Sequence, residues 1–470
     1  MIRSERFASI AYIHKRTCYL LVGIFSFTVC GNSFFLLFAF VLVQTIATMP
    51  LLTPGFRYAP DGALRLRLIF ALFMVAASGV RAFSDKYKQF HGIGTLRQLA
   101  KNNGKYIGSC SRIEALTDPG DPTYLTTLGA QFSLVTAENQ CKFAETEPID
   151  KNYSFTGCNT ILSAAVDATQ LMRGHNLVWG KLNPPWLTQS NFTSAQSATI
   201  LQNHVDTVLK FYGGKAFVWD VVNEAVSDDP VLNGTFKYND WYPQVKDYVD
   251  LAFTKAGASR ANGVKLFYND YNIASGYGLF APKSQAVYDL LSDMRKRGIP
   301  VDGIGLQLHI DINYDLMLGV VHNLKRLAAL GLTIHMTEID VSCNAYPLPC
   351  EQWTEKEETM QAEVYAALMQ ACLDEPMCES FELWGFTDKY SWRGESQHPL
   401  LYNADYSPKL AVTALADTLS GNQTWVNNYY NRVNSTSSVD GGDLGAHPRA
   451  NAARLSERSW VNTFHGLASI

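Results

Sequence analysis

The sequence predicts an α/β fold, a (β/α)8 TIM barrel, and three observations predict it. Eight short apolar runs, rich in β-branched and aromatic residues, alternate with helical patterns over roughly 300 residues. Two of those runs, FVWDVVNEA at Phe217–Ala225 and LTIHMTEID at Leu332–Asp340, carry a glutamate at their end, Glu224 and Glu338. The residues that close the other runs are polar or aromatic, as expected if all eight ends face one mouth.

In chain order, a first apolar stretch, Cys18 to Met49, takes up most of residues 1–48 and is long enough to span a bilayer. They read either as an over-extended gene model or as a real membrane segment, and a membrane partner is expected only if residues 18–48 are an anchor. Residues 49–82 read as a secretory signal region. Arg65 and Arg67 precede an apolar run from Leu68 to Ala77, and Val80 and Ala82 have the spacing of a signal-peptidase site, which predicts cleavage after Ala82 and a secreted, extracellular protein.

The barrel is expected over 86–421. Gly94 to Gly104 reads as a helix with its glycine stop, and KYIGSC after it as a first strand. Strands follow at 131–136, 172–179, 217–224, 264–270, 302–309, 332–338 and 380–385. Each is short and bounded by turn residues, and the fourth is a near-continuous apolar run, as a strand covered on both faces requires. Between them, apolar residues at helical spacing predict helices over 122–128, 159–171, 194–212, 245–256, 283–296, 316–330 and 356–373, with a closing helix at 407–419. Residues 422–470, polar and rich in Asn, Ser and Gly, read as a poorly ordered tail.

The formal net charge of −4 and 17% charged residues give no polybasic character, so nucleic acid is not an expected partner. Nine Trp suit a protein that stacks rings on sugars. Of the nine Cys, Cys343 with Cys350 and Cys372 with Cys378 each close a short loop, Cys141 with Cys158 is a weaker pairing, and Cys110 is left odd. Sequons at Asn152, Asn191, Asn233, Asn422 and Asn434 fit a glycosylated protein. No Gly-rich phosphate loop, CxxC pair or His-x-x-x-His cluster appears, so no cofactor and no metal is expected.

The strand ends supply the candidate site: Glu138, Asn139 and Lys142 after the second strand, His175 and Trp179 on the third, Asn223 and Glu224 on the fourth. Asn269 and Asp270 end the fifth, Gln307 and His309 the sixth, Glu338 the seventh, and Trp384 and Trp392 follow the eighth. Any one of these has a bland role as a cap, ion pair or packing residue. Together they make a poor core. A mouth of neutral hydrogen-bonding groups, two glutamates and several Trp fits a neutral polyhydroxylated substrate, and two carboxylates about 5–5.5 Å apart are what retaining glycoside hydrolysis needs.

The blocks VTAENQCKFAETEP (135–148), RGHNLVW (173–179), WDVVNEA (219–225), LFYNDYN (266–272), VDGIGLQLH (301–309), HMTEIDV (335–341) and LWGFTDKYSW (383–392) resemble glycoside hydrolase family 10 endo-β-1,4-xylanases. The resemblance implies a monomeric enzyme acting on xylan or arabinoxylan, with Glu224 as acid/base and Glu338 as nucleophile. It implies that Asn223 holds the sugar 2-hydroxyl and that His309, held by Asp340, supports Glu338. Burial and the neighbouring Glu338 are expected to raise the pKa of Glu224. Glu138, Asn139 and Lys142 would grip the sugar on the non-reducing side, His175, Trp179 and Gln307 would surround the cleaved residue, and Trp384 and Trp392 would wall the cleft. The sequence departs from the family's pattern at Phe143, Gly180 and Leu182, where a Trp, a His and a Gln are common, and these departures are expected in the substrate-binding wall. A cellulase-like β-1,4-glycanase on the same barrel and a non-catalytic carbohydrate-binding barrel protein are the competing readings.

Overall fold

Val218–Asn223, the core of the central run, is a strand buried at every position. The computed structural model to which it belongs describes residues 94–437. The expectations for residues 1–82, and for the tail beyond 437, lie outside the described residues.

The strands are β1 Tyr106–Ser111, β2 Leu134–Ala137, β3 Leu171–Gly174, β4 Val178–Trp179, β5 Val218–Asn223, β6 Lys265–Asp270, β7 Gly303–Leu306, β8 His309–Asp311, β9 Thr333–Ser342 and β10 Cys378–Leu383. Eight of them pair in parallel in the order β10-β1-β2-β3-β5-β6-β7-β9, and β9 pairs with β10 to close the barrel. The short β4 and β8 pair with the ends of β5 and β9 and extend the wall at the mouth. Two expected strands, 172–179 and 302–309, are therefore each two pieces. In the second, Leu308 takes a left-handed backbone, φ 61°, between Gln307 and His309. An apolar tally along the chain cannot reveal such a break.

Helices cover the strands, and the two longest of those described begin on reciprocal caps. Ser194–Tyr212 starts on a reciprocal capping box, Thr193 with Gln196, and ends at Gly213, whose φ of 52° suits a residue without a Cβ. Its buried residues Leu201, Val205, Val208, Leu209 and Tyr212 fall on one face. Glu355–Asp374 opens on a second box, Thr354 with Glu357. The helix expected over 159–171 runs instead over Thr156–Asp167, because Thr169 turns left-handed at φ 54° and sends the chain into β3.

The reading of 422–470 as a poorly ordered tail needs correction over its first part. Thr424–Ser437 is a helix whose Val426 and Tyr429 are buried, the former against Ala362, Ala366 and Ala414. The Tyr429 hydroxyl donates to the Tyr314 carbonyl at 2.9 Å, and Arg432 pairs with Glu363 at 2.6 Å. Trp425, Val426, Tyr429, Tyr430 and Val433 have helical spacing, which the Asn-rich composition conceals.

Disulfides join Cys141 to Cys158, Cys343 to Cys350 and Cys372 to Cys378, and Cys110 is free and buried. The barrel interior also holds charge. Arg173, fully buried, pairs with Asp220 and lies 3.5 Å from Glu382, so burial is offset by paired partners rather than left uncompensated.

Candidate active site

Parallel register sets the centre of the site. Asn223 at the end of β5 lies opposite Asn269 on β6, and Gly305 on β7 lies opposite both Asn269 and His335 of β9. The Thr337 hydroxyl donates to Asn269 Oδ1 at 2.7 Å, which fixes the orientation of the amide. Asn269 Nδ2 then donates to Glu338 Oε1 at 2.7 Å and to Asn223 Oδ1 at 2.9 Å. Only a glycine fits beneath this amide: a Cβ on Gly305 would lie 2.1 Å from Asn269 Oδ1.

Glu224 follows β5 in a left-handed conformation, φ 57°, held by its N–H to the Asn269 carbonyl at 2.8 Å. Such a backbone costs about 1–3 kcal/mol in a non-glycine residue and persists where surroundings over-determine it. Gln307 Nε2 donates to Glu224 Oε1 at 3.2 Å and to Asn223 Oδ1 at 3.3 Å. The two glutamates are thereby linked through Gln307, Asn223 and Asn269.

On the far side of Glu338, His309 Nε2 stands 3.2 Å from Oε2, and His309 Nδ1 stands 2.7 Å from Asp340 Oδ2. Burial disfavours the imidazolium, yet Asp340 and Glu338 outweigh burial and push His309 up to about 9. Burial would likewise raise Asp340, but Arg393 and His309 hold it below the usual carboxylate range. At neutral pH His309 is therefore an imidazolium paired with the Asp340 carboxylate.

Glu224 departs from expectation. Burial pushes its carboxyl up, but Lys237, Lys181 and Lys283, with the Gln307 hydrogen bond, outweigh it and the pKa is lowered. The neighbouring glutamate is not the dominant charge; three lysines are. Lys237 donates its backbone N–H to the Ala225 carbonyl at 2.9 Å and its Nζ to the Tyr271 hydroxyl at 2.8 Å. Behind it, buried Lys283 bridges Asp228 and Asp270, each at 2.9 Å.

The other expected residues line the same mouth. Glu138 is held in a two-pronged ion pair by Arg112. Lys142 donates to Asn139 Oδ1 at 2.8 Å and lies 4.8 Å over the Trp179 ring. His175 pairs with Asp220 through Nδ1 at 2.9 Å and meets the Trp384 ring edge-on at 5.1 Å. Trp384 is nearly covered, whereas Trp392 is 43% exposed.

The departures at 143, 180 and 182 do not share one place. Phe143 is buried, stacked on His204 at 3.5 Å and packed against Trp186 and Trp241, so it belongs to the core and not to the binding wall. Gly180 lies against the next loop, where an added Cβ would be 2.8 Å from the Asn239 Cβ. Leu182 is exposed, with φ 50°. Arg112, Lys237, Thr337 and Arg393 were not legible as site residues. Arg393 directly follows Trp392 and could have been suspected; Lys237 carries no signal in the sequence. Among the described residues, no group of three or more His, Cys, Asp or Glu is arranged to hold a metal ion.

Residues 95–418 match the family profile described as Glycosyl hydrolase family 10. The chain is 34% identical over 335 residues to endo-1,4-beta-xylanase B of Thermotoga neapolitana, covering 69% of this chain and 91% of that one. It is 32% identical over 304 residues to an endo-1,4-beta-xylanase of Agaricus bisporus, covering 64% and 86% of the two chains. Among solved structures, xylanase 10B from Thermotoga maritima superposes with a TM-score of 0.65 at 33% identity, covering 70% of this chain and 98% of that one. Xylanase 10B from Thermotoga petrophila RKU-1 in complex with xylobiose superposes with a TM-score of 0.65 at 32% identity, covering 70% and 97%.

Proposed function

The chain belongs to glycosyl hydrolase family 10, and from that premise we propose that it cleaves internal β-1,4-xylosidic bonds of xylan by double displacement with retention. It is a glycoside hydrolase of the endo-1,4-β-xylanase type. The observation that carries the mechanistic proposal is the linked pair of carboxylates, Glu224 and Glu338, each with its own hydrogen-bonded support.

Glu338 attacks the anomeric carbon while protonated Glu224 delivers its proton to the departing glycosidic oxygen, leaving a glycosyl ester on Glu338. Glu224, now a carboxylate, takes a proton from water, whose oxygen displaces Glu338 from the same carbon. Glu338 is aimed by two partners, the Asn269 amide on Oε1 and His309 Nε2 on Oε2. The lysines around Glu224 suit the second step, which needs a carboxylate, and place the first step's proton donor at the acid side of neutrality. Asn223, fixed between Asn269 and Gln307, is placed to hold the sugar 2-hydroxyl as charge develops at the ring.

Glu138, Asn139 and Lys142 are assigned to the sugar on the non-reducing side, and His175, Trp179 and Gln307 to the sugar being cleaved, with Trp384 and Trp392 as walls. Export and glycosylation belong to the same proposal and are supported by the three disulfides and by the sequons at exposed Asn152, Asn191 and Asn233; a monomeric state is proposed with them. Rates on xylan and on carboxymethylcellulose, with NMR of the first-formed anomer, test the assignment. Preferential cleavage of xylan to β-anomeric products is expected; faster cellulose cleavage or α-products would refute it.

A further inference from the structure

Asp340 supports more than His309. Its Oδ2 accepts from His309 Nδ1 at 2.7 Å and from the indole N–H of Trp392 at 2.9 Å, while its Oδ1 accepts from Arg393 Nε at 3.0 Å. We propose that Arg393, with the indole N–H of Trp392, is a positioning group for the nucleophile: acting through Asp340 and His309, it keeps Glu338 aimed. The inference rests on the reading of Glu338 as nucleophile.

Charge alternation carries the argument. Arg393, Asp340, His309 and Glu338 form a row of cation, anion, cation and anion whose formal sum is zero. Asp340 is fully buried and the Arg393 side chain is 7% exposed, so a charge left unpaired at Asp340 is poorly screened by water. Without Arg393, two carboxylates share one imidazolium, and a proton on a carboxylate restores neutrality. A proton on Asp340, whose carboxyl Arg393 otherwise holds low, removes the acceptor that orients His309 toward Glu338. Other charged groups also face this region: Lys142 lies within the field of Glu338 on one side, Arg173 on another, and Asp311 faces Arg393. Besides His309, Arg393 is the cation bonded to Asp340 itself.

Geometry adds to charge. Donors on both oxygens fix the plane of the Asp340 carboxylate, and that plane sets the tilt of the His309 ring. The guanidinium is itself packed against two rings that touch each other, 4.5 Å from Trp392 and 5.1 Å from Tyr346. Tyr346 sits in the loop closed by Cys343–Cys350. Trp392 thus has two uses, an exposed face for sugar and an N–H for the row beneath Glu338.

The test uses the full chain carrying Arg393→Met, Arg393→Lys or Trp392→Phe, assayed on two aryl β-xylobiosides, one with a good and one with a poor leaving group. Glu224→Gln is run beside them. A phenolate that leaves unaided needs no proton donor but still needs the nucleophile. Arg393→Met is therefore expected to lower kcat/KM on both substrates by a similar factor, roughly 10–100-fold, as loss of an outer-shell partner does elsewhere. The acid limb of its pH profile should move to higher pH, and Arg393→Lys should recover part of the rate. Trp392→Phe, which keeps an aromatic face, should lower the rate on both substrates in the same sense. Parental kcat/KM in Arg393→Met on the good-leaving-group substrate, or a loss confined to the poor one, would overturn the proposal. Should Arg393→Met fail to fold, Trp392→Phe decides: a parental rate on both substrates overturns it. If Glu224→Gln shows no dependence on leaving group, it is the assignment of the two glutamates that fails.

Discussion

Asn269 Nδ2 donates to Glu338 Oε1 at 2.7 Å, and the same nitrogen donates to Asn223 Oδ1 at 2.9 Å. One amide therefore supports the nucleophile and the residue assigned to the sugar 2-hydroxyl. Asn269→Ala is expected to lower kcat by about 10²-fold, the scale of losing one preorganised donor, with a smaller change in KM. Steady-state kinetics on xylo-oligosaccharides check this. Gly305→Ala should do similar damage from behind, because its Cβ would collide with the Asn269 oxygen.

The lysines around Glu224 set a direction for pH dependence. Glu224 must be protonated to donate, and Lys237 heads the charges that favour its ionised form. Removing that cation favours the neutral acid, so Lys237→Met should move the alkaline limb of kcat/KM to higher pH. Lys181, Lys283, Asp270, Tyr271 and Lys142 face the same carboxyl and remain in place. A pH profile with an unmoved or lowered alkaline limb would contradict the assignment.

Gly180→His should not simply restore a missing sugar contact. Asn239 occupies the space a side chain would need, and its loop is pinned by Asn183 to Asp240 at 2.8 Å and by the Trp241 indole to the Trp179 carbonyl at 2.9 Å. Overpacking of this kind costs about 1–3 kcal/mol. A lowered melting temperature is expected, relieved in Gly180→His/Asn239→Gly.

Deleting residues after Gly421 should destabilise the barrel. The helix at Thr424–Ser437 buries Val426 and Tyr429, and loss of a buried large ring alone costs about 3–5 kcal/mol. Thermal denaturation of the truncated chain should show a midpoint lower by several degrees.

The sequence revealed what repeats. Alternating runs give strands and helices, and Glu224 and Glu338 stand out because each ends a run that is otherwise apolar. It did not reveal what depends on pairing across the mouth. Arg112 and Arg393 matter through the carboxylates they meet in space, and Lys237 through a loop that returns to Ala225. The raised pKa expected for Glu224 failed for this reason: burial was foreseeable and three convergent lysines were not. Phe143 failed in the opposite way, since its neighbours in sequence are site residues while its ring packs on His204. The helix at 424–437 was written in the spacing of its aromatic residues and obscured by its asparagines.

The most direct test of the account is reducing-sugar release from xylan by the parent chain beside folded Glu224→Gln and Glu338→Gln. Release by the parent, with both variants reduced by several orders of magnitude, is the predicted result. Parental rates in either variant, or no release by a folded parent, would contradict the paired-glutamate mechanism.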